Sequence, residues 1–431
     1  MTGRPRPAAT IEILGGFEST YLPRHDVDVA ETSGHVQRWR EDLDLLAACG
    51  VRRLRYPVRW HRIEHRAGVF DWAATDEVLG NLHARGMRPI VDLLHHTSYP
   101  KWLRRGFADR RFGDAYRRYV AAFARRYPWV EEYTLCNEPF TTLFLCGHEG
   151  IWPPHGRGVP GFVKLAANVL PAVAAASRDC RELLPEARHV YVDVCERADA
   201  ASPSAQRVAD LANDRRFFVL DLFLGKPLAA DRPFVAQVQA AGGKGLLAME
   251  PGHVDVVGLD YYAHNQWHYL DATGRGVRPS PQPVPLAELM AEYWERYRRP
   301  VVLGETNIRG FASDRASWLK YTLEQCERAA AAGVPVGGHC WFPFVDSCDW
   351  DSTLTRAAGH LDPVGVYWLD EARNRHASSM SLAYATAAHG HPAAELPAYR
   401  FQPPVDTWLR GWLPQMAHWN WQDPPAAEVG G

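Results

Sequence analysis

A chain of 431 residues with 46% hydrophobic content is large enough to bury an extensive core, and its formal net charge of -2 gives no reason to expect nucleic acid or an anionic membrane surface as a partner. The first ten residues carry two arginines and two prolines but lack the apolar core of a secretory signal, and no uninterrupted apolar run of about 18 residues predicts a membrane span. The eight cysteines are scattered and include no CxxC pair, which favours free buried thiols and a cytoplasmic protein over a disulfide framework or a zinc site.

From residue 11 onward, short apolar segments alternate with longer segments of helical periodicity. Strands are predicted at residues 11–17, 51–56, 88–95, 133–138, 189–196, 253–262, 300–305 and 334–341. Helices are predicted at residues 35–49, 71–85, 109–127, 161–184, 204–220, 286–298, 313–331 and 375–388. Gly50 and Gly86 directly follow the first two helices, where a glycine commonly ends a helix.

Eight strand–helix alternations favour an α/β fold with one (β/α)8 TIM barrel over a doubly wound sheet. We predict a single catalytic domain over residues 1–431, with the barrel at about 11–389. No GxGxxG motif follows the first strand, which argues against a dinucleotide cofactor. The remaining residues, about 390–431, are predicted to form an irregular, Trp/Pro-rich strap that packs Trp408, Trp412, Trp419 and Trp421 onto the barrel.

Polar side chains gather where the predicted strands end, and in a (β/α)8 barrel these ends form the face that carries the active site. Two of them, Glu138 and Glu305, are isolated glutamates on non-adjacent strands. A glycosidase needs one protonated and one ionised carboxyl, and an arginine and a tyrosine hydroxyl beside a carboxylate favour its ionised form. The full set predicted for this face is Glu18, Arg55, His95, His96, Asn137, Glu138, Asp260, Tyr261, Tyr262, Glu305, Trp341, Asp346 and Asp349.

Six motifs, in the same order along the chain, resemble those of glycoside hydrolase family 1. The most specific is Thr134-Leu135-Cys136-Asn137-Glu138-Pro139, which is similar to the Thr-x-Asn-Glu-Pro motif of that family. The others are RYPVRW at 55–60, LHH at 94–96 with PKWL at 100–103, VGLDYY at 257–262, GETN at 304–307, and the segment from Trp341 to Trp350. The resemblance covers residues from about 11 to 370.

The resemblance implies a retaining β-glycosidase with Glu138 as acid/base and Glu305 as nucleophile. Arg55 and Tyr262 would orient and ionise Glu305, and Asn137 would bind the sugar 2-hydroxyl. The implied substrate is a carbohydrate or glycoside small molecule, and the implied mechanism needs no metal or organic cofactor. The residues implied to contact the sugar are His95, Trp341, Asp349, Trp350 and, at the position of a family glutamine, Glu18.

Four positions depart from the family pattern and all fall on substrate recognition: Glu18, His96, Asp260 and Asp349. They replace a glutamine, an aromatic residue, an asparagine and a glutamate, respectively, so the substrate is expected to differ from an ordinary glucoside. No Ser-x-Lys-x-Tyr pattern follows the eighth strand, which argues against a 6-phospho-sugar.

Two other functions stay open at this level: a transglycosidase that uses the same residues, and a catalytically silent barrel that binds glycans. A metal-dependent hydrolase is disfavoured, because His95 and His96 are adjacent and neighbouring strand residues point to opposite faces. The same alternation favours Tyr262 over Tyr261 as the partner of Glu305. The glycone, the aglycone and the oligomeric state are left open.

Overall fold

A computed structural model describes residues 10–399, apart from residues 24, 26, 275 and 281. Eight parallel strands close into a barrel, in which each strand pairs with its neighbours in the chain and the first strand pairs with both the second and the eighth. The predicted TIM barrel is confirmed. The strands are β1 Ile13–Gly16, β2 Arg53–Pro57, β3 Arg88–Asp92, β4 Glu132–Thr134, β5 Arg188–Val194, β6 Val256–Asp260, β7 Val301–Glu305 and β8 Val336–Trp341.

Helices follow the strands and form the outer layer of the barrel. The main ones are α1 His35–Ala48, α2 Ala73–Ala84, α3 Phe112–Arg126, α4 Gly158–Leu183, α5 Pro203–Arg215, α6 Leu286–Tyr297, α7 Ala312–Ala331 and α8 Ser379–Ala388. Shorter helices lie at Val29–Thr32, Trp60–Ile63, Gly106–Ala108, Pro139–Gly147, Phe218–Phe223, Pro233–Ala240, Lys244–Leu247, Trp350–Ser352 and Ala393–Glu395.

Small sheets in the loops complete the described structure, and the sequence patterns did not predict them. A three-stranded sheet joins Arg197–Ala200, Gln266–Tyr269 and Val277–Pro279. Two-stranded pairs are Tyr21–Leu22 with Val27–Asp28, Ser347–Cys348 with Leu361–Asp362, and Trp368–Leu369 with Arg375–His376.

Local sequence explains how the helices form and end. In α3 the buried residues recur at helical spacing and include Phe112, Tyr116, Tyr119 and Phe123, so one face packs inward. Gly50 has φ +90° after α1, and the backbone N–H of Val51 donates to the carbonyl of Leu46, as expected for a glycine that ends a helix.

Several predicted boundaries were wrong; the helix predicted over residues 204–220, for example, is divided into Pro203–Arg215 and Phe218–Phe223. β3 ends at Asp92, so the two histidines that follow lie in a loop. β4 is short, and Pro139 begins a helix instead of only stopping a strand, because a proline at the first helical position gives up an N–H that needs no partner there. α8 begins at Ser379, while the predicted start of that helix pairs as a strand.

The C-terminal strap lies mostly outside the described residues, including all four of its tryptophans. The part that is described packs on α7: Lys320 Nζ donates to the carbonyl oxygens of Ala393 and Leu396, at 2.9 and 2.6 Å. Tyr399, the last described residue, accepts from Ser317 at 3.1 Å.

Helix α4 is long and apolar enough, by length and composition, to cross a membrane. In the fold it packs against α3 and Pro139–Gly147, and one face of it is buried in the hydrophobic core. This helix therefore has the character of a core helix in the outer layer of the barrel.

A buried ion pair links α1, near the start of the barrel, to the segment just before α8. Arg375 donates two hydrogen bonds to Asp42 of α1, at 2.6 and 2.9 Å, and both side chains are fully buried. His35 also contacts the Asp42 carboxylate, at 2.7 Å. A guanidinium that binds a carboxylate through two parallel bonds has good geometry, and removal of either partner leaves a buried charge without compensation.

We expect Arg375→Met to lower the free energy of unfolding by about 3–5 kcal/mol, measured by urea denaturation, because the Asp42 carboxylate would stay buried without its cation. The matched control is Arg40→Met, since Arg40 pairs with Glu77 on the surface, where both side chains are more than half exposed. It should change stability by less than about 1 kcal/mol. Equal effects of the two substitutions would contradict a special role for the buried pair.

Candidate active site

A β-bulge turns Glu305 into the barrel. In β7, Leu303 pairs with Leu259 but Glu305 pairs with Asp260, so Gly304 is an extra residue on its strand. If β7 had no bulge, strict alternation would place Glu305 on the face opposite to Gly304, towards the helices. The lack of a side chain at Gly304 is required, because a Cβ atom there would lie 2.6 Å from an Asp260 oxygen.

Two donors hold the Glu305 carboxylate. Arg55 of β2 donates from Nη1 to Oε1, and the Tyr262 hydroxyl donates to Oε2 at 2.6 Å. Burial, and next the charge of Glu305, raise the pKa of Tyr262 well above its usual range, so its hydroxyl stays a donor. Both contacts stabilise an ionised Glu305. Tyr261 points outward and stacks on Trp318, as the strand alternation predicted.

Glu138 and Asn137 follow β4, on the opposite side of the barrel mouth. Asn137 lies in the barrel wall through a bridge to Val192, and its Oδ1 accepts from Arg55 at 2.6 Å. Its Nδ2 is buried and has no hydrogen-bond partner among the described residues, so a donor is available to a bound molecule. Glu138 has φ +43° just before the helix Pro139–Gly147 and is only 6% exposed.

The two glutamates form a close cluster with Asp260. One carboxylate oxygen from each of these three residues lies within 4.8 Å of the others. Burial, and next the charges of Glu305 and Asp193, raise the pKa of Glu138 well above its usual range. The site thus contains one carboxyl that holds its proton and one carboxylate stabilised by donors, the combination required for acid/base and nucleophile roles.

His95 carries a positive charge beside the cluster. Its Nδ1 lies 2.7 Å from Asp92 Oδ2, and its Nε2 lies 3.2 Å from Glu18 Oε1. Burial would lower the pKa of His95, but the charges of Glu18 and Asp92 outweigh it and raise the pKa to about 10. Burial would likewise raise the pKa of Glu18, yet His95 outweighs it and lowers the pKa to about 2. Glu18 and His95 therefore form a charged pair at neutral pH.

A polar wall extends from this pair along one side of the cavity. Trp350 Nε1 donates to Glu18 Oε2 at 3.1 Å, and the Trp350 backbone N–H donates to Asp362 at 2.7 Å. Arg309 Nη2 lies 2.9 Å from the other Asp362 oxygen. Glu18 and Trp350 line the cavity, and His95 reaches it only through its contact with Glu18. The sugar-contact role of all three stays a prediction. Asp362 and Arg309 were missed, because no strand-end pattern marks them.

The structure places Asp349 outside the cavity, although it was predicted to contact the sugar. Its carboxylate accepts three backbone N–H groups, from Ala358, Gly359 and His360, at 3.2, 2.9 and 2.9 Å. The side chain is fully buried and is not among the residues that line the cavity. The prediction is corrected on this geometry: Asp349 holds the loop after β8 in shape, because both of its oxygens are already bound.

Trp341 does not line the cavity as predicted; the next residue, Phe342, lines it instead. The Trp341 indole lies outside the barrel interior, is fully buried and donates to the Val364 carbonyl at 2.9 Å. The neighbouring Phe342 points the other way, into the interior cluster and the cavity, with its ring 5.6 Å from that of His95. Successive strand residues face opposite sides, so the aromatic wall is Phe342.

His96 lies closer to the acid than the sequence indicated. Its Nε2 is 3.9 Å from Glu138 Oε2, and its Nδ1 bonds the Thr142 hydroxyl at 2.7 Å. Burial, and next the charge of His95, lower the pKa of His96 well below its usual range, so it is neutral. Asp260 is fully buried beside both glutamates. The sequence placed both residues at the strand ends and marked them as departures from the family pattern, but it did not indicate that they lie beside the glutamates.

One cavity of about 500 Å³ lies at the C-terminal ends of the strands, and its polar side is formed by Glu18, His96, Glu138, Tyr262, Glu305, Arg309, Trp350 and Asp362. Its aromatic and aliphatic lining includes Phe140, Phe144, Leu145, Ile151 and Trp152 on the side of the helix Pro139–Gly147. The cavity thus combines an acidic catalytic centre and a polar wall with an apolar side, which suits an amphipathic small molecule.

The chain is similar to β-glucosidases both in sequence and in fold. Residues 17–281 match the model of glycosyl hydrolase family 1. The chain is 23% identical over 370 residues to beta-glucosidase A of Thermotoga maritima, covering 78% of this chain and 82% of that one. It is 26% identical over 412 residues to a beta-glucosidase of Agrobacterium sp., covering 86% and 87%. The fold matches the Thermotoga maritima beta-glucosidase solved with noeuromycin at TM-score 0.75 and 18% identity, covering 90% and 99%.

We expect Phe342→Ala to lower kcat/KM for aryl β-glucosides about tenfold or more, because the cavity would lose an apolar wall worth about 1.5–3 kcal/mol. The matched control is Trp341→Phe, one residue away on the opposite face. It should leave kcat/KM within about twofold but lower the melting temperature, since the Val364 carbonyl loses its donor. Steady-state kinetics and thermal unfolding of both variants test this, and the reverse pattern would restore Trp341 as the wall of the site.

Proposed function

This chain belongs to glycosyl hydrolase family 1 and is a β-glucosidase-like enzyme that acts on O-glycosyl bonds, and we propose that it does so with retention of configuration through a covalent glycosyl-enzyme. Glu138 gives its proton to the leaving oxygen while Glu305 attacks the anomeric carbon. Glu138 then takes a proton from water, and that water displaces Glu305 from the sugar.

The spacing and the different surroundings of the two glutamates carry this proposal. One carboxylate oxygen of each lies within 4.8 Å of one of the other, which supports the close carboxyl spacing of a retaining enzyme over the wider spacing, about 6.5–9.5 Å, of an inverting one. Arg55 and Tyr262 stabilise Glu305 as an anion, whereas burial keeps the proton on Glu138. A barrel that only binds glycans needs neither a stabilised carboxylate nor a protonated partner carboxyl, so these two environments argue against a catalytically inactive, glycan-binding barrel.

The charges at the cavity support a neutral glycone. The arginines that line it are already paired: Arg309 with Asp362 and Arg215 with Glu196. His95 is likewise held between carboxylates. A uronic acid or a phosphorylated sugar would therefore meet acidic groups without a cation of its own, while sugar hydroxyls can both donate to the carboxylates and accept from the arginines.

We also propose that the protein is cytoplasmic, and its cysteines support this location. All eight are buried with free thiols, and Cys136 and Cys340 beside the site have pKa values raised by burial. Such thiols are poor nucleophiles and are typical of packing roles in a reducing compartment.

We expect Glu305→Ala to abolish hydrolysis of aryl β-glucosides, because it removes the carboxylate proposed to attack the anomeric carbon. Added azide should restore product formation and give a glycosyl azide of inverted configuration. Glu138→Ala should lower the rate about 10²–10⁴-fold with a poor leaving group and give an azide of retained configuration. Nuclear magnetic resonance of the azide products measures the configuration.

Peptide mapping by mass spectrometry after incubation with a 2-fluoro-glycoside provides an independent measurement, with the adduct expected on Glu305. Glu77→Ala is the control, since Glu77 is a carboxylate on the surface, where it pairs with Arg40. It should keep both turnover and labelling. Near wild-type turnover by Glu305→Ala, or an adduct on another residue, would refute the role assignment.

A further inference from the structure

The helix Pro139–Gly147 begins directly after the proposed catalytic acid, so that Glu138 is its N-cap residue. The side chain of an N-cap residue commonly accepts a hydrogen bond from one of the backbone N–H groups that follow. Within the described part of the chain the Glu138 side chain makes no such bond, and it lines the cavity instead. Its backbone has φ +43° and ψ +60°, a left-handed conformation that is unfavourable for a residue other than glycine. Another group must therefore satisfy the start of the helix and hold Glu138 in this conformation.

Strand β5 provides the acceptors for this helix start. The backbone N–H of Glu138 donates to the Val192 carbonyl at 3.1 Å. The next residue is a proline and has no N–H, and the two after it, Phe140 and Thr141, donate their N–H groups to the Asp193 carboxylate at 2.8 and 3.3 Å. Two successive residues of β5 thus hold every backbone donor from Glu138 to Thr141.

The alternation of side chains along β5 turns Asp193 towards the helix. Val190 and Val192 belong to the hydrophobic cluster inside the barrel, whereas Tyr191 packs in the outer layer. Asp193 faces the same side as Tyr191, because residues two apart on a strand share a face. It is buried there and is not among the residues that line the cavity.

Five donors converge on the Asp193 carboxylate. Besides the N–H groups of Phe140 and Thr141, they are the Thr141 hydroxyl at 3.0 Å, the Tyr191 hydroxyl at 2.9 Å and the N–H of Val194 at 3.0 Å. A surrounding of donors suits an ionised carboxylate, which only accepts. Because both oxygens are occupied and lie outside the cavity, any effect of Asp193 on catalysis must pass through the backbone at the helix start.

We propose that Asp193 is a positioning residue for the catalytic acid: it caps the helix Pro139–Gly147 from β5, fixes the left-handed backbone at Glu138 and so sets where the Glu138 carboxyl meets the leaving oxygen. Because Asp193 does the capping, the Glu138 side chain is left for the cavity. The inference rests on the proposed role of Glu138 as acid. A displacement of that acid by about 1 Å is enough to impair proton transfer.

The test is the dependence of kcat/KM on the leaving group in Asp193→Asn, which keeps the shape of the side chain but places an NH2 donor where a carboxylate oxygen accepts. Alkyl and weakly acidic aryl β-glucosides need the acid, so their kcat/KM should fall about tenfold or more. A dinitrophenyl β-glucoside, whose leaving group departs without a proton, should stay within about threefold of wild type. Equal losses on both substrates, as a merely structural role would give, or no loss on either, would overturn the inference.

Ser378→Ala is the matched control, because Ser378 caps α8 by accepting the N–H of Met380 at 3.2 Å. It should lower the melting temperature, as loss of a helix cap does, and leave the ratio of the two kcat/KM values unchanged. Tyr191→Phe is a milder variant that removes one donor to Asp193, and it should change the ratio in the same direction by about two- to threefold. If Asp193→Asn does not fold, an unchanged ratio in Tyr191→Phe overturns the inference.

Glu138→Ala separates this inference from the proposed function. A wild-type dependence on the leaving group in Glu138→Ala would refute the acid role, and the inference with it. A selective loss in Glu138→Ala together with none in Asp193→Asn would refute only the role of Asp193. Labelling of Glu305 by a 2-fluoro-glycoside with a dinitrophenolate leaving group does not need the acid, so it reports whether the site of Asp193→Asn is folded.

Discussion

The guanidinium of Arg55 lies at the centre of an active site that consists mainly of acids. It contacts Glu305, Asp92 and the amide oxygen of Asn137, and it is almost completely buried. Burial of a carboxylate without a cation is costly, so the carboxyl that Arg55 contacts is stabilised as an anion while a carboxyl without that contact retains its proton. One cation, delivered by the second strand, thereby assigns different charge states to two glutamates that are chemically identical.

Irregular backbone directs the acids to this cation. An ideal strand would turn Glu305 towards the outer helices, and the extra residue Gly304 in β7 turns it inward instead. Glu138 and His96 both have positive φ values, 43° and 48°, which regular strands do not allow. Such conformations cost free energy and persist at functional sites because the surrounding packing holds them. The barrel supplies that packing, with its strands fixed on both sides by neighbours.

The cavity wall around Glu18 and Trp350 departs from the resembling family's pattern, whereas the two glutamates proposed as the catalytic pair match it. The carboxylate of Glu18 pairs with a protonated His95, and Asp349 is occupied by the backbone of its own loop. Asp362 and Arg309 form the cavity wall next to Trp350, where the sequence had predicted Asp349. The proposed reaction depends on two carboxyls and their immediate donors, whereas the cavity wall is formed by loops, which tolerate sequence change better than strands do.

The sequence by itself determined the barrel and the catalytic centre, because both depend on local signals. Apolar strands and amphipathic helices alternate visibly, and Glu138, Glu305, Arg55 and Tyr262 each lie in a short motif at a strand end. The tertiary structure alone decided which aromatic lines the cavity, why the Asp349 carboxylate is unavailable to a bound molecule and where Asp362 lies. Moving from Trp341 to Phe342 exchanges one face of the strand for the other, and local periodicity does not fix that register. Contacts between loops join residues far apart in the chain, which local periodicity does not predict either.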